Sequence, residues 1–393
     1  MQKKLIALAI AGLSSAAFAQ TNVTIYGVAD GTFDYINVSG NSNVAPAVGN
    51  PNNTRVTSNG SHLGFKGTEN LGNGMKAIFQ FESEVNFDSG AALGLNRDSF
   101  VGLNGSFGQV TLGTQTGPTK ALGDRLDVNS GDTIMSNSAV LGKLGGAYAT
   151  VGPKGTQFAS GSTFDTRFNN SIQYVSPSFS GLQATAMYRA NENKSEATFG
   201  KINSSAYDLG LTYENGPVFV GATYARISEK NDNFSLPALV PVFLGEDTTA
   251  KEFRIGGMYD FGMATVRALY ARTKGDGNGT FGSDAKQNVW GIGGTYNVSP
   301  NGKLVGQYYK AADLSGSNFG RPTDNTGAKF YTIGYEHSLS KRTMLKAGYA
   351  YLKNDSATGT DGFGGYDFGY NSVGATGDNV KLSGFQFGMR HAF

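Results

Sequence analysis

The chain alternates short and long interruptions between strand-like runs, and this rhythm restricts its fold more than any other feature. Short breaks fall at residues 70–74, 105–108, 177–181, 215–217, 260–262, 299–302 and 338–342. Each is built from Gly, Pro, Asn, Asp or Ser between two runs of alternating polarity, the signature of a hairpin. Long breaks, rich in Gly, Asn, Ser, Thr and Asp, fall at 37–60, 88–96, 116–166, 191–204, 229–249, 274–284, 314–327 and 355–378. Seven short turns and eight long loops in strict alternation join sixteen strands. An even strand number with both termini on the short-turn side fits a closed transmembrane barrel, and sixteen strands enclose an aqueous channel.

The last strand supports closure. In NVKLSGFQFGMRHAF (379–393), Phe385, Phe387, Met389, His391 and Phe393 share one face, while Gly384, Gln386, Gly388, Arg390 and Ala392 share the other. Such a strand leaves an apolar edge to be covered. Pairing with the first strand, VTIYGVADGTFDY (23–35), removes that edge and gives Phe393 a role in barrel closure and assembly.

The N-terminus reads as a secretory signal: Lys3 and Lys4, an apolar stretch over 5–11, then Ala17, Phe18 and Ala19 before Gln20. Cleavage after Ala19 divides the chain into a signal peptide (1–19) and one barrel domain (20–393) of 374 residues. Loss of Lys3 and Lys4 lowers the basic count from 32 to 30, equal to the 30 acids, so no basic excess points to nucleic acid. An exported chain of this size with 0 Cys needs another source of stability, which a closed hydrogen-bond ladder supplies. After the signal no run of about 18 apolar residues occurs, so helical spans are not expected. With 57 Gly, 19 Tyr and 26 Phe against 10 Pro, the composition is that of many strands, tight turns and aromatic girdles.

Strand faces point to a wet interior. Ala77, Phe79, Phe81, Val85 and Phe87 oppose Gln80, Glu82, Glu84 and Asn86; Leu182, Ala184, Ala186 and Tyr188 oppose Gln183, Thr185 and Arg189; Tyr331, Ile333 and Tyr335 oppose Thr332 and Glu336. Carboxylates facing a dry core would each cost several kcal/mol, so water reaches the polar side. Tyr35, Trp290, Tyr296, Tyr349 and Tyr351 near strand ends are candidates for the headgroup level. By the same alternation, Lys66, Arg167, Arg189, Arg254, Arg267 and Lys346 face inward, as do Glu82, Glu84, Asp208, Glu252 and Glu336.

At VTIYGVAD (23–30), LGFKGTENLGNGMKAIFQFE (63–82), LSKRT (339–343) and the closing MRHAF, the chain resembles the general porins of the Gram-negative outer membrane, in particular the β-proteobacterial and Neisseria-type branch. The resemblance spans the whole sequence. It implies an all-β, 16-stranded antiparallel transmembrane β-barrel with short periplasmic turns, long external loops and a third loop folded into the lumen. It further implies a homotrimer in outer-membrane lipid and lipopolysaccharide, inserted by the barrel-assembly machinery, through which small hydrophilic solutes and ions diffuse passively, with no cofactor.

The third long break is the longest, and loops of that length are usually functional. Within it, Lys120, Asp124, Arg125 and Asp127 are candidates to present charge to the pore. In the resembling porins a basic cluster on the wall faces this loop; the matching positions here are Arg97, Arg167 and His62, the last where an arginine is common. Arginine stays charged while histidine titrates near neutrality, so this departure weakens the expectation of anion preference. With Val101 and Leu103 facing lipid, strict alternation turns Asp98 inward and Arg97 outward; only a bulge or an early loop start returns Arg97 to the lumen. Lys66, Glu82 and Glu84 complete the candidate constriction.

A barrel enzyme would need a nucleophile and base at its surface or mouth. The histidines are His62, His337 and His391, and neither a GxSxG motif nor a metal-binding histidine spacing occurs. A solute-specific channel or a surface adhesin and phage receptor on the same barrel remains as an alternative. A sugar-specific channel would carry aromatics on the lumen face, whereas most here alternate onto the lipid face.

Overall fold

A computed structural model describes residues 22–40, 52–142, 164–192, 194, 201–232, 248–277, 283–317, 323–356, 366–367 and 379–393. The expected signal peptide and the middles of most long loops lie outside these residues.

Eighteen hydrogen-bonded segments form one antiparallel sheet. Two strands are each split into two segments, so the barrel has sixteen: β1 (Asn22–Ser39), β2 (Asn53–Ser58 and His62–Gly72), β3 (Met75–Glu84), β4 (Ser99–Gly105), β5 (Gly108–Thr116), β6 (Arg167–Val175), β7 (Leu182–Arg189), β8 (Lys201–Asn215), β9 (Val218–Asp232), β10 (Thr248–Asp260), β11 (Ala264–Gly277), β12 (Ser283–Asn297), β13 (Gly302–Ala311 and Ser315–Ser317), β14 (Ala328–Ser338), β15 (Thr343–Asn354) and β16 (Lys381–Ala392). Each strand pairs with its sequence neighbour. β16 pairs with β1 from Val28↔Ala392 to Ser39↔Lys381, and Phe393 and Gly27 exchange backbone hydrogen bonds at 3.1 Å. The ladder therefore has no open edge.

All seven short turns fall where the sequence places them. The two-residue turn between β2 and β3 has Asn73 and Gly74 both at positive φ (49° and 77°), as a type I′ hairpin requires. The long side differs in detail, because strands project further than alternation suggested. β1 runs to Ser39 and pairs with 53–58, inside what reads as the first loop. Ladder hydrogen bonding outlasts the apolar pattern there, since the outward face beyond the bilayer no longer has to be greasy.

The faces sort as expected. Phe81, Val101, Leu209, Ile292, Ile333, Phe385 and Phe387 are exposed on the outside, while Glu82, Asp208, Gln307, Thr332 and Gln386 point inward and are buried. Trp290, Tyr308, Tyr331 and Tyr351 on β12 to β15 adjoin in sequence, with ring centroids 5.4, 6.4 and 5.0 Å apart, the first pair tilted and the other two stacked, which forms one arc of an aromatic girdle.

Candidate pore constriction

The third loop, L3 (residues 117–166), brings a set of buried apolar side chains inside the barrel, among them Leu122, Leu126, Ile134, Met135 and Leu141. After Thr116 the chain turns inward at Gly117 and forms helix α1 (Pro118–Leu126), with Pro at its first turn, where the missing N–H costs nothing. Its apolar side, Pro118, Leu122 and Leu126, faces the wall. The wall meets it with glycine: a Cβ on Gly210, Gly221 or Gly256 would collide with Pro118, Leu122 or Leu126 respectively. Beyond the helix, Val128 lies against Gly293, and Met135 against Gly334 and Gly348. Six strands, β8, β9, β10, β12, β14 and β15, thus each give a glycine to a track on which L3 lies.

Polar groups fasten the loop along this track. Arg254 on β10 is fully buried; its guanidinium donates to the Thr119 carbonyl (2.9 Å), to both Asp165 oxygens (2.7 and 3.1 Å) and to Glu252 (2.8 Å through Nε). Thr119 opens L3 and Asp165 closes it, so one side chain holds both ends. Asp208 accepts from the Thr119 N–H (3.0 Å) and hydroxyl (2.6 Å). A second clasp is Asp98, which accepts from the Thr116 N–H and hydroxyl (2.9 and 2.8 Å) and from Arg167 Nε (3.0 Å). At the far side of the loop, Lys346 bridges Asp30 (2.7 Å) and Asp132 (2.9 Å), and Gly60 donates to the Gly131 carbonyl (2.8 Å). The interruption of β2 at 59–61 has its reason here: residues that leave the ladder bond to L3 and to Asp30 instead, with Asn59 accepting from the Thr133 N–H (2.9 Å) and donating to Asp30 (3.1 Å).

Across the lumen, the β2–β6 wall carries the charged cluster. Glu82 receives Arg97 Nε (2.8 Å) and the Tyr26 hydroxyl (3.2 Å), with His62 Nε2 at 3.6 Å. Arg97 and Asp98 precede β4, which begins at Ser99; the early loop start frees both from alternation and turns both inward. Lys66 is exposed, with its ammonium 4.7 Å from the Tyr26 ring centroid.

A protein-family model described as Gram-negative porin matches residues 5–358. The chain belongs to the Gram-negative porin family. Over 404 aligned residues it is 31% identical to outer membrane porin protein 32 of Delftia acidovorans, with all of both chains covered. It is 34% identical over 242 residues to major outer membrane protein P.IB of Neisseria meningitidis serogroup B, covering 60% of this chain and 63% of that one. Its fold is similar to that of a solved anion-selective porin from Comamonas acidovorans, with a TM-score of 0.72, 27% identity, and coverage of 95% of this chain and 100% of the other. This porin is an outer-membrane channel for passive diffusion, and its relatives are channel proteins rather than enzymes.

The porin's barrel sorts the candidate site residues into three groups. His62, Glu82, Arg97 and Arg167 come together with Asp98 and Tyr26 on one wall, and Lys66 lies four residues further along β2 toward the short turn. Glu84 is not part of this cluster: its carboxylate accepts from Asn96 of the second loop (3.1 Å). The four charges in L3 separate. Lys120 and Asp124 pair across one helical turn (3.0 Å) on the side of α1 left open to the lumen. Arg125 reaches back to Glu214 (2.6 Å), and Asp127 turns into the seat, so neither presents its charge at the opening as the sequence suggested. Residue spacing around a helix separates 120 and 124 from 127, but which side meets the wall depends on the glycine track, which local patterning does not show. Asp132 and Asp165 were missed for a related reason, since each lies where the strand period has lapsed, whereas Asp98 is inward as alternation placed it.

Asp127 has a consequence for pH. Burial raises its carboxyl from the ordinary range to about 6, against hydrogen bonds from Ser136, the N–H groups of Asn129 and Asn137, and Gln307. Between the ordinary carboxylate range and pH 6 the folded protein keeps a proton that the unfolded chain has lost, so Asp127 contributes stability at low pH that is lost as pH rises through this window. Lowering pH from neutral to 5 is expected to protonate Asp127 in its seat and to raise the melting temperature in detergent by an increment that Asp127→Asn lacks; equal changes in both proteins would exclude Asp127 as the source. At Asp124, burial also raises the pKa, opposed by Lys120 and Arg167 and reinforced by Asp165.

Proposed function

We propose that this porin is a homotrimeric, weakly ion-selective diffusion pore for small hydrophilic solutes, narrowed by L3 and biased by facing rows of charge. Arg97, Arg167 and Lys66 form one row; the other is the pair Lys120 and Asp124 on α1. The observation that carries the reading is that each wall arginine is bonded to a carboxylate through Nε, Arg97 to Glu82 and Arg167 to Asp98, with side chains still about one-fifth exposed (19% and 22%). Their charge is offset without being removed from water. A net anion preference that is modest follows, with His62 in place of a third arginine keeping it so. The Comamonas relative described as anion-selective supports the sign. Asp and Glu on the same wall oppose it, so selectivity is a difference between large terms.

The trimer reading draws on the outward aromatic faces and on a solved porin of this fold described in trimer form, at 15% identity and a TM-score of 0.63. The outer rim then meets lipopolysaccharide, and export proceeds through a signal cleaved after Ala19. Conductance of the purified protein in a planar bilayer across a salt gradient tests the whole reading. Current steps in groups of three with a small anion-directed zero-current potential are expected. A folded barrel that conducts nothing would mean that L3 plugs the lumen.

Phe393 is assigned to recognition by the barrel-assembly machinery as well as to closure. Its removal is expected to lower the yield of folded barrel in the outer membrane while leaving refolding in detergent largely intact. Equal loss in both settings would make it a closure residue alone.

A further inference from the structure

Below L3, on the short-turn side, the loop and the barrel wall enclose a cavity of about 260 Å³ that opens to the lumen. Its roof is Val128, Asn129 and Ser130 of the loop, and its floor is the wall of β13 to β16 and β1. Strand register sets the floor charges in a row: Lys303 on β13 is opposite Glu336 on β14, which is opposite Lys346 on β15. Arg390 on β16 is opposite Asp30 on β1.

These groups are not equally engaged. Lys346 is buried and saturated by Asp30 and Asp132. The Arg390 guanidinium, in contrast, has Asp30 as its ion-pair partner at 3.8 Å from Nε and makes no hydrogen bond among the described residues, and the side chain is 46% exposed. Glu336 binds Lys303 through Oε2 (2.6 Å), and its other oxygen accepts no hydrogen bond among the described residues. The cavity thus offers a spare guanidinium and a spare carboxylate oxygen. Their strands are two apart, and Arg390 lies two residues beyond Gly388, the register partner of Lys346, so their backbones are about 12 Å apart, a gap that the two long side chains shorten. With Lys303, Lys346 and Arg390 against Asp30, Asp132 and Glu336, the cavity has no net charge. A simple anion or cation gains from one set and loses to the other, while a molecule carrying both charges gains from both.

We propose that this cavity is a binding station for small zwitterions of amino-acid size, with the carboxylate on Arg390 and the ammonium on Glu336. The station lies beside the lumen on the short-turn side of L3, so an occupant narrows the ion path there while bound. It goes beyond the diffusion reading and needs only an open lumen.

Single-channel recording in dilute potassium chloride tests it with glutamine as the probe and glutaramide, of similar size but without the charged head, as the control. Glutamine added on the short-turn side is expected to lower the conductance and raise the current noise in a saturable manner, and glutaramide to do neither. Arg390→Gln and Glu336→Gln are each expected to weaken the block about tenfold, the usual loss of one charge-assisted contact. Equal block by glutaramide would overturn the proposal, as would unchanged glutamine block in either variant that inserts and conducts. If neither variant inserts, the comparison of glutamine with glutaramide in the unaltered porin decides.

Discussion

Arg254→Ala is expected to produce a barrel that melts earlier and whose open current is unsteady. Removing the guanidinium leaves Glu252, Asp165 and Asp208 close together and buried without their cation, and breaking a buried pair on one side costs about 3–5 kcal/mol. It also releases the Thr119 carbonyl and Asp165 at once, so both ends of L3 lose a common anchor. The loop is then held by the Asp98 clasp, by Asp208 on Thr119, by the contacts of its far side with Lys346 and residues 59–60, and by the glycine track, and its near end should fluctuate in the lumen. Heating in detergent, followed by loss of strand circular dichroism, and single-channel recording check the two parts separately. Arg254→Lys keeps the charge without the planar fork that spans three partners, and an intermediate result is expected. A variant with the melting behaviour and quiet current of the parent would show that Arg254 is not what seats L3.

The second large effect is a pair of opposite shifts in ion preference. Arg167→Ala leaves Asp98 without its cation at the mouth of L3 and is expected to move the zero-current potential toward cations. Glu82→Gln leaves Arg97 and His62 facing an uncharged amide and is expected to move it toward anions. Both shifts should shrink as salt rises, because screening acts over about 10 Å at 0.1 M but about 3 Å at 1 M. Shifts of the same sign, or shifts that persist in concentrated salt, would place the selective charges elsewhere than on the β2–β6 wall.

The barrel was legible in the sequence because its constraints are local. Each strand needs one greasy face, and each short turn needs a few permissive residues such as Asn73 and Gly74, so strand number and closure follow from periods of two and from punctuation. The inward direction of Glu82 and Arg167 was legible for the same reason, since both are placed by counting. What alternation could not place were residues outside the pleat: Arg97 beside the start of β4, and Asp127 at the end of α1. Their directions are set by what they touch across the lumen, not by neighbours in sequence. The glycines of the track show the same limit from the other side. Gly210, Gly221 and Gly256 read as ordinary members of a glycine-rich composition, and only the loop lying on them shows why a side chain has no room there.

The seating of L3 also bears on the order in which this porin can be assembled. The loop leaves β5 and returns through β6, yet its contacts extend round to β14 and β15 and to the interruption in β2. Those strands surround it only once β16 has met β1. A sheet that closed first would have to admit some fifty residues through its own mouth, whereas a curling sheet that gathers the loop against β8 to β10 and then closes has no such obstacle. The pairing that eliminates the last edge is then also the step that shuts the constriction inside, and an incomplete barrel is a sheet with a loose loop rather than a wider pore.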